Sequence, residues 1–202
     1  MNQYNYPKQL QKIIDFLELL PGVGKKTAER YAFSILNLDE KQLKDICEAL
    51  YNLKKDVVTC PICGCLTDAN KCLICDDESR NGEILCVVEQ QKNVYVFEKL
   101  GIWKSKYHVL GGLISPIDGI NPEDLSINKL VERIDKENIH EVILALRPSI
   151  EGNTTSLYIR KLLENKDVKI TQIAQGVPIG TDMEYLDNLT LEMAFKNRSE
   201  LT

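Results

Sequence analysis

Cys60-Pro61-Ile62-Cys63-Gly64-Cys65 and, after a short gap, Cys72-Leu73-Ile74-Cys75 form a C-x2-C, x8, C-x2-C array. Each close pair can wrap one side of a tetrahedral cation, with thiolate sulfurs about 2.3 Å from a zinc ion. Gly64 stands where such a knuckle turns tightly. Seven cysteines are present in all, an odd number, and five of them fall between Cys60 and Cys75. The alternative readings are a redox dithiol or chance clustering. In a reducing compartment, this spacing points to metal. The expected ligands are Cys60, Cys63, Cys72 and Cys75, around one structural Zn²⁺ per chain. Cys65 is a competing thiol, but only Cys63 leaves a two-residue gap after Cys60. Four thiolates fill the coordination sphere, so the site holds no water for catalysis. Cys47 and Cys86 lie on apolar faces and are expected to be small core residues.

The array divides the chain into two kinds of pattern. Before it, only helical periodicity appears. Residues 8–20 place Leu10, Ile13, Ile14, Leu17 and Leu20 on one stripe, and residues 25–36 do the same with Ala28, Tyr31, Ala32 and Ile35. A third helix over residues 40–53 carries Leu43, Ile46, Cys47, Leu50 and Leu53. The first two are joined by Leu20-Pro21-Gly22-Val23-Gly24-Lys25-Lys26-Thr27-Ala28. Gly22 and Gly24 allow main-chain amides to approach an anion, and the following helix start adds partial positive charge. Lys25, Lys26 and Arg30 cluster there. The arrangement suits a phosphate backbone and reads no base sequence. A P-loop is rejected, because the spacing is wrong and a helix, not a strand, precedes it. The bland alternative is an αα-corner with solvated lysines.

After the array, short apolar runs alternate with helical stretches. Strands are expected at residues 84–88, 107–110, 141–146 and 168–173. Helices are expected near residues 91–100, 126–138 and 154–165, with a last one near 184–196. This alternation predicts an α/β region with a mostly parallel sheet. His108 and His140, the only histidines, have no paired nucleophile signature and are read as structural. Trp103, Tyr95 and Tyr158 are read as packing residues.

The net charge of −5 argues against bulk electrostatic coating of nucleic acid. It is unevenly spread: residues 1–60 hold nine Lys/Arg and eight Asp/Glu, whereas residues 61–202 hold sixteen and twenty-two. No basic and apolar leader and no bilayer-length apolar run is visible, so a cytoplasmic, nucleoid-associated protein without membrane contact is expected.

The hairpin run Leu-Pro-Gly-Val-Gly-Lys-Lys-Thr-Ala-Glu-Arg resembles the helix-hairpin-helix of the RecR family of bacterial recombination mediators. The four-cysteine knuckle and the α/β region follow in that family's order. So do Tyr107-His108-Val109-Leu110-Gly111-Gly112-Leu113-Ile114-Ser115-Pro116 and Gly176-Val177-Pro178-Ile179-Gly180-Thr181-Asp182. The resemblance spans nearly the whole chain. It implies an α+β, multi-module protein: a helix-hairpin-helix module at 1–56, a zinc finger at 57–80, a Toprim domain at 81–178, and a C-terminal loop and helix at 179–202 used in assembly. It implies DNA binding through Gly22, Gly24, Lys26 and Arg30. Lys25 stands where a proline is common in the family. It further implies RecO and RecF as partners, and a tetrameric ring built from dimers that binds single- and double-stranded DNA without sequence preference.

The α/β region is similar to the Toprim domain of topoisomerases and primases. Catalytic members place a glutamate after the first strand and a run of the type Asp-Pro-Asp-x-Glu-Gly after a later one. Here Glu89 follows the first strand, but the later run reads Arg147-Pro148-Ser149-Ile150-Glu151-Gly152. Two glutamates beside an arginine make a poor Mg²⁺ site. The family resemblance implies that Glu89, Glu151, Arg147 and Asp182 lie on a partner-binding face; the ordinary alternative is solvated loop carboxylates. The expectation is a non-enzymatic mediator of DNA repair that helps load recombinase onto single strands. The rivals are a Mg²⁺-dependent Toprim nuclease or primase-like enzyme, and a zinc adaptor without DNA contact.

Overall fold

A computed structural model describes residues 6–198, which fall into two compact units that divide between Asp56 and Val57. In the first, α1 (Lys8–Glu18) and α2 (Lys25–Ile35) pack as a hairpin. Its core is small: Ile14 from α1 meets Ala28 and Ala32 from α2, with Tyr6, Leu10, Leu17 and Val23 around them. The two alanines on one face of α2 allow the helix backbones to approach closely. Gly22 sits at φ +80°, which lets the connecting turn reverse the chain at no steric cost. The helix α3 (Glu40–Asp56) forms where its periodicity requires, yet none of its residues is buried. Its stripe of Leu43, Ile46, Leu50 and Leu53 is exposed, and Cys47 with it. The expectation of a buried Cys47 is thus corrected: periodicity defines an apolar face but does not supply a neighbour to cover it.

The second unit opens with a two-stranded antiparallel hairpin, β1 (Val58–Thr59) with β2 (Leu66–Thr67), followed by the short helix α4 (Leu73–Asp76). Then β3 (Asn81–Val88), α5 (Gln91–Leu100), β4 (Ser105–Val109), α6 (Ile127–Glu137), β5 (Glu141–Ala145), α7 (Ile150–Leu162) and β6 (Lys169–Gln172) alternate. The helix α8 (Asn188–Lys196) comes last. The four long strands form one sheet in the order β4-β3-β5-β6, and every neighbouring pair is parallel.

Strand β3 is central, and its side chains serve two cores by simple alternation. Leu85 and Val87 join the cluster with Leu130, Ile134, Val142 and Ile159. Cys86 and Val88 face the other way, into the cluster with Val94, Tyr107, Val109 and the five knuckle cysteines. Its first neighbour β4 lies on one side and the next strand, β5, on the other. The order in which strands are added therefore switches sides at β3, and open α/β sheets bind ligands outside the C-terminal strand ends at such a point. Glu89 stands at that point.

Several boundaries differ from the sequence expectation: β3 begins at Asn81 rather than 84, α3 ends at Asp56 rather than 53, and α8 begins at Asn188 rather than 184. Helix α7 begins at Ile150, not 154, because the Ser149 hydroxyl caps it by accepting the Gly152 N–H at 3.2 Å. No helix among the described residues is long and apolar enough to cross a membrane.

Candidate nucleic-acid interface and metal centre

The hairpin turn presents an open backbone. The carbonyl of Gly24 accepts the amides of Thr27 and Ala28 at 2.9 and 3.0 Å. The amides of Gly24, Lys25 and Lys26 have no main-chain acceptor among the described residues, as expected at a helix start. A Cβ added at Gly22 or Gly24 would meet nothing within 4 Å. At Gly24 φ is −86°, so neither backbone strain nor packing demands a glycine there. What its absent side chain leaves is access to the amides. Lys25, Lys26 and Arg30 are all exposed. Lys26 and Arg30 are four residues apart and share a helix face. The Arg30 guanidinium lies over the Tyr31 ring, 5.3 Å from its centroid, in a cation–π contact.

In the knuckle, Cys60, Cys63, Cys72 and Cys75 are buried, and their sulfurs all lie within 4.8 Å of one another. A tetrahedron with metal–sulfur bonds of 2.3 Å has sulfur–sulfur edges of about 3.8 Å. The four thiols are therefore already placed for a metal ion, with Cys63 and Cys72 Sγ 3.4 Å apart. Main-chain amides supply the supporting bonds: Cys65 N–H donates to Cys63 Sγ, and Cys75 N–H to Cys72 Sγ, each at 3.4 Å. At Gly64, where φ is +79°, an added Cβ would lie 3.1 Å from both the Val109 Cβ and its carbonyl oxygen, so the left-handed turn and the close approach both favour glycine. Burial raises the Cys60 thiol, but amides of Cys72, Cys63 and Ile62 outweigh it and bring it down to about 7. Cys63, hydrogen-bonded by the Cys65 thiol, and Cys75, by the Cys63 thiol, are both pushed up. Four thiolates this close need a cation to coexist. Cys65 is buried but stands outside the four-sulfur group.

The knuckle is tied to the sheet. Val109 N–H donates to the Cys63 carbonyl at 2.7 Å. Arg80 bridges Asp77, beyond α4, to Glu98 of α5, with Nη1 and Nη2 at 3.0 and 2.6 Å from the Glu98 oxygens. The Tyr107 hydroxyl donates to the same carboxylate at 2.8 Å. Arg80 holds Glu98 below the usual carboxylate range, helped by Tyr107. No short motif announces this network, because its members are joined only when the sheet forms.

At the sheet's C-terminal end, Arg147 Nη2 lies 3.5 Å from Glu89 Oε1. Ser149 Oγ donates to Glu151 Oε2 at 2.7 Å, which lowers the Glu151 carboxyl, aided by its own backbone amide and by the charge of Arg147. Glu151 thus lies in the first turn of α7 rather than in a free loop. A divalent cation of the Toprim type does not fit: both glutamates already have partners, and a fixed positive charge lies among them. Asp182 is exposed, and no hydrogen bond or ion pair joins it to this group among the described residues.

Comparison with known proteins bears on this set of features. Over 197 residues, 98% of this chain and 99% of the relative, the sequence is 44% identical to the recombination protein RecR of Natranaerobius thermophilus. The chain belongs to the RecR family. The RecR helix-hairpin-helix model matches residues 10–54, which contain the glycine turn and most of α3. A Toprim domain model matches residues 83–174, which contain Glu89, Arg147 and Glu151. The RecR C-terminal model matches residues 176–199, which contain Asp182. RecR membership, the helix-hairpin-helix, the four-cysteine cluster able to hold a metal ion, the parallel Toprim sheet and the C-terminal helix all agree with the order expected from the sequence.

Proposed function

We propose that this chain is a non-catalytic recombination mediator in DNA repair. Its hairpin grips the phosphate backbone of single- or double-stranded DNA through the amides after Gly22 and Gly24 and through Lys25, Lys26 and Arg30. Cys60, Cys63, Cys72 and Cys75 hold one structural Zn²⁺. The face formed by Glu89, Arg147, Glu151 and Asp182 receives RecO or RecF, and the complex helps load recombinase onto single strands at gaps and breaks. The work is divided among modules at 1–56, 57–80, 81–178 and 179–202. The exposed stripe of α3 supports self-association into a dimer-based tetrameric ring, which would place several hairpins on one DNA.

The observation that carries this reading is the helix start at Gly24, with open amides and no side chain in front of them. The glycine serves access, because fold and backbone geometry tolerate a Cβ there. Catalysis is disfavoured by Arg147, which replaces an acid and pairs with Glu89.

Gel-shift titration of Lys26→Ala/Arg30→Ala over a range of salt tests the DNA site. The slope of log K against log salt should fall by about 0.9 per lost phosphate contact on duplex DNA, with the helical CD spectrum unchanged. Wild-type affinity and slope in that variant would remove the hairpin from the interface.

A further inference from the structure

The two edges of the sheet are treated differently. In a parallel sheet, alternate residues of an edge strand turn their main-chain groups outward. On β4 these are Ser105, Tyr107 and Val109, because the Leu110 amide and the Lys104 carbonyl bond inward to β3. Three outward groups on β4 have partners. The Ser105 carbonyl accepts from Arg80 Nη1 at 3.2 Å, the Tyr107 carbonyl from Arg133 Nη1 at 2.6 Å, and the Val109 amide donates to Cys63. This edge is closed by the knuckle and by two arginines.

On β6 the Lys169 and Ile173 amides bond inward, to the carbonyls of His140 and Leu144. Ile170 and Gln172 therefore face outward. Among the described residues, no side chain or loop bonds their main-chain groups. Open edges invite pairing, and proteins ordinarily blunt them. Beside this one, α7 and β6 leave adjoining depressions of about 470 and 420 Å³. Leu157, Ile170 and Met193 supply apolar surface, and Arg160, Lys161 and Lys166 line the depressions with a single carboxylate, Glu164. Neither Arg160 nor Lys161 has a carboxylate within ion-pair reach among the described residues, whereas the neighbouring Lys166 and Lys169 pair with Asp135 and Glu141. The unit that carries them is acidic, since residues 61–202 hold sixteen Lys/Arg against twenty-two Asp/Glu. Such a surface repels a long polyanion but accommodates a few carboxylates beside two free cations.

We infer that the β6 edge is a docking site for an extended acidic segment of a partner protein. The segment adds as a further strand to Ile170 and Gln172, sets aliphatic side chains against Leu157, Ile170 and Met193, and places its carboxylates at Arg160 and Lys161. Main-chain pairing supplies affinity, and the pocket and cations supply selectivity. This surface is separate from the hairpin and from the face at Glu89, and does not depend on the DNA reading.

The test is selection of a phage-displayed random dodecapeptide library on the full chain. Enriched peptides should carry alternating aliphatic residues next to Asp or Glu. As synthetic peptides they should bind Arg160→Glu/Lys161→Glu at least tenfold more weakly. Gln172→Pro removes one outward amide while sparing the inward ladder, and should weaken them similarly. In hydrogen exchange, the Ile170 and Gln172 amides should gain protection only with peptide bound. The inference fails if no peptide distinguishes wild type from the charge-reversed variant. It also fails if a labelled oligothymidine displaces the peptides through Arg160 and Lys161, which makes the edge a nucleic-acid site. It fails equally if those amides are already protected in the free protein and the charge reversal lowers its mass in sedimentation, which makes the edge a contact between copies.

Discussion

Arg147 Nη2 lies 3.5 Å from Glu89 Oε1, so a guanidinium of the chain itself stands beside the carboxylate that follows the first strand of the large sheet. The charge is fixed at every accessible pH. A divalent cation would have to displace or tolerate it. The wild-type chain should therefore show no Mn²⁺ bound at this loop by electron paramagnetic resonance at millimolar metal. Arg147→Asp/Ser149→Asp should acquire a bound ion, and Glu89→Gln in that background should abolish it. Arg147→Ala alone should cost under about 1 kcal/mol in urea unfolding, because the arginine is largely exposed.

Gly152 has a different role from the glycines of the hairpin. A Cβ at this position would fall 1.9 Å from the Arg147 carbonyl, a main-chain atom with nowhere to move. Gly152→Ala should pull the loop from the start of α7, break the Ser149 cap and destabilise the protein by roughly 2–4 kcal/mol. Urea denaturation with unchanged m-value is the readout. Gly24→Ala, with open space at its Cβ, should leave stability within about 1 kcal/mol of wild type and weaken DNA binding instead.

The knuckle cysteines share a core with Trp103, the single tryptophan. Its ring centroid is 6.3 Å from that of Tyr107. Chelation should loosen the metal-bound loops and with them this core, because structural metal binding is folding energy. The intrinsic fluorescence of Trp103 should shift to longer wavelength as elemental analysis shows the ion leave. Cys72→Ser should reproduce the shift without chelator. Cys65→Ser should retain one metal per chain; loss of the ion in that variant would enlarge the ligand set.

His108 is buried against α6, and Nε2–H donates to the Ser126 carbonyl at 2.9 Å. Burial first, and then the charges of Arg133 and Lys129, depress it from 6.5 to about 4, against the opposing pull of the Ser126 carbonyl and Glu137. The folded protein therefore binds fewer protons than the unfolded chain between these values. Its contribution is complete above about pH 6.5 and is lost as pH falls toward 4. The loss should approach 3 kcal/mol, at about 1.36 kcal/mol per pKa unit. Glu98 acts in the same direction through Arg80, so the His108 share is the difference between wild type and His108→Gln. That variant should show a flatter stability curve across this window.

Much of this protein is determined by short stretches of its sequence. The cluster of Cys60, Cys63, Cys72 and Cys75 was legible from spacing, because two short loops can bring four sulfurs together without help from distant residues. The hairpin was legible for the same reason: turn, helix start and cations are neighbours in sequence. The alternation of short apolar runs and helical stretches predicted a mostly parallel α/β sheet. Local chemistry settled such features.

Whatever required two distant segments was decided by tertiary structure. The stripe of α3 reads as core by its period, yet Cys47 and its neighbours are exposed, because period says nothing about what lies opposite. The start of α7 was set by the Ser149 cap, which outweighed the poor helix propensity of Gly152, Thr154 and Thr155. Arg80 and the Tyr107 hydroxyl meet on Glu98, and Arg133 bonds the Tyr107 carbonyl, only because β4 lies beside β3. The order β4-β3-β5-β6 leaves one strand edge covered and the other open. Strand order is chosen by packing of the whole sheet against its helices, a sum of many small long-range contacts that no single stretch of sequence contains.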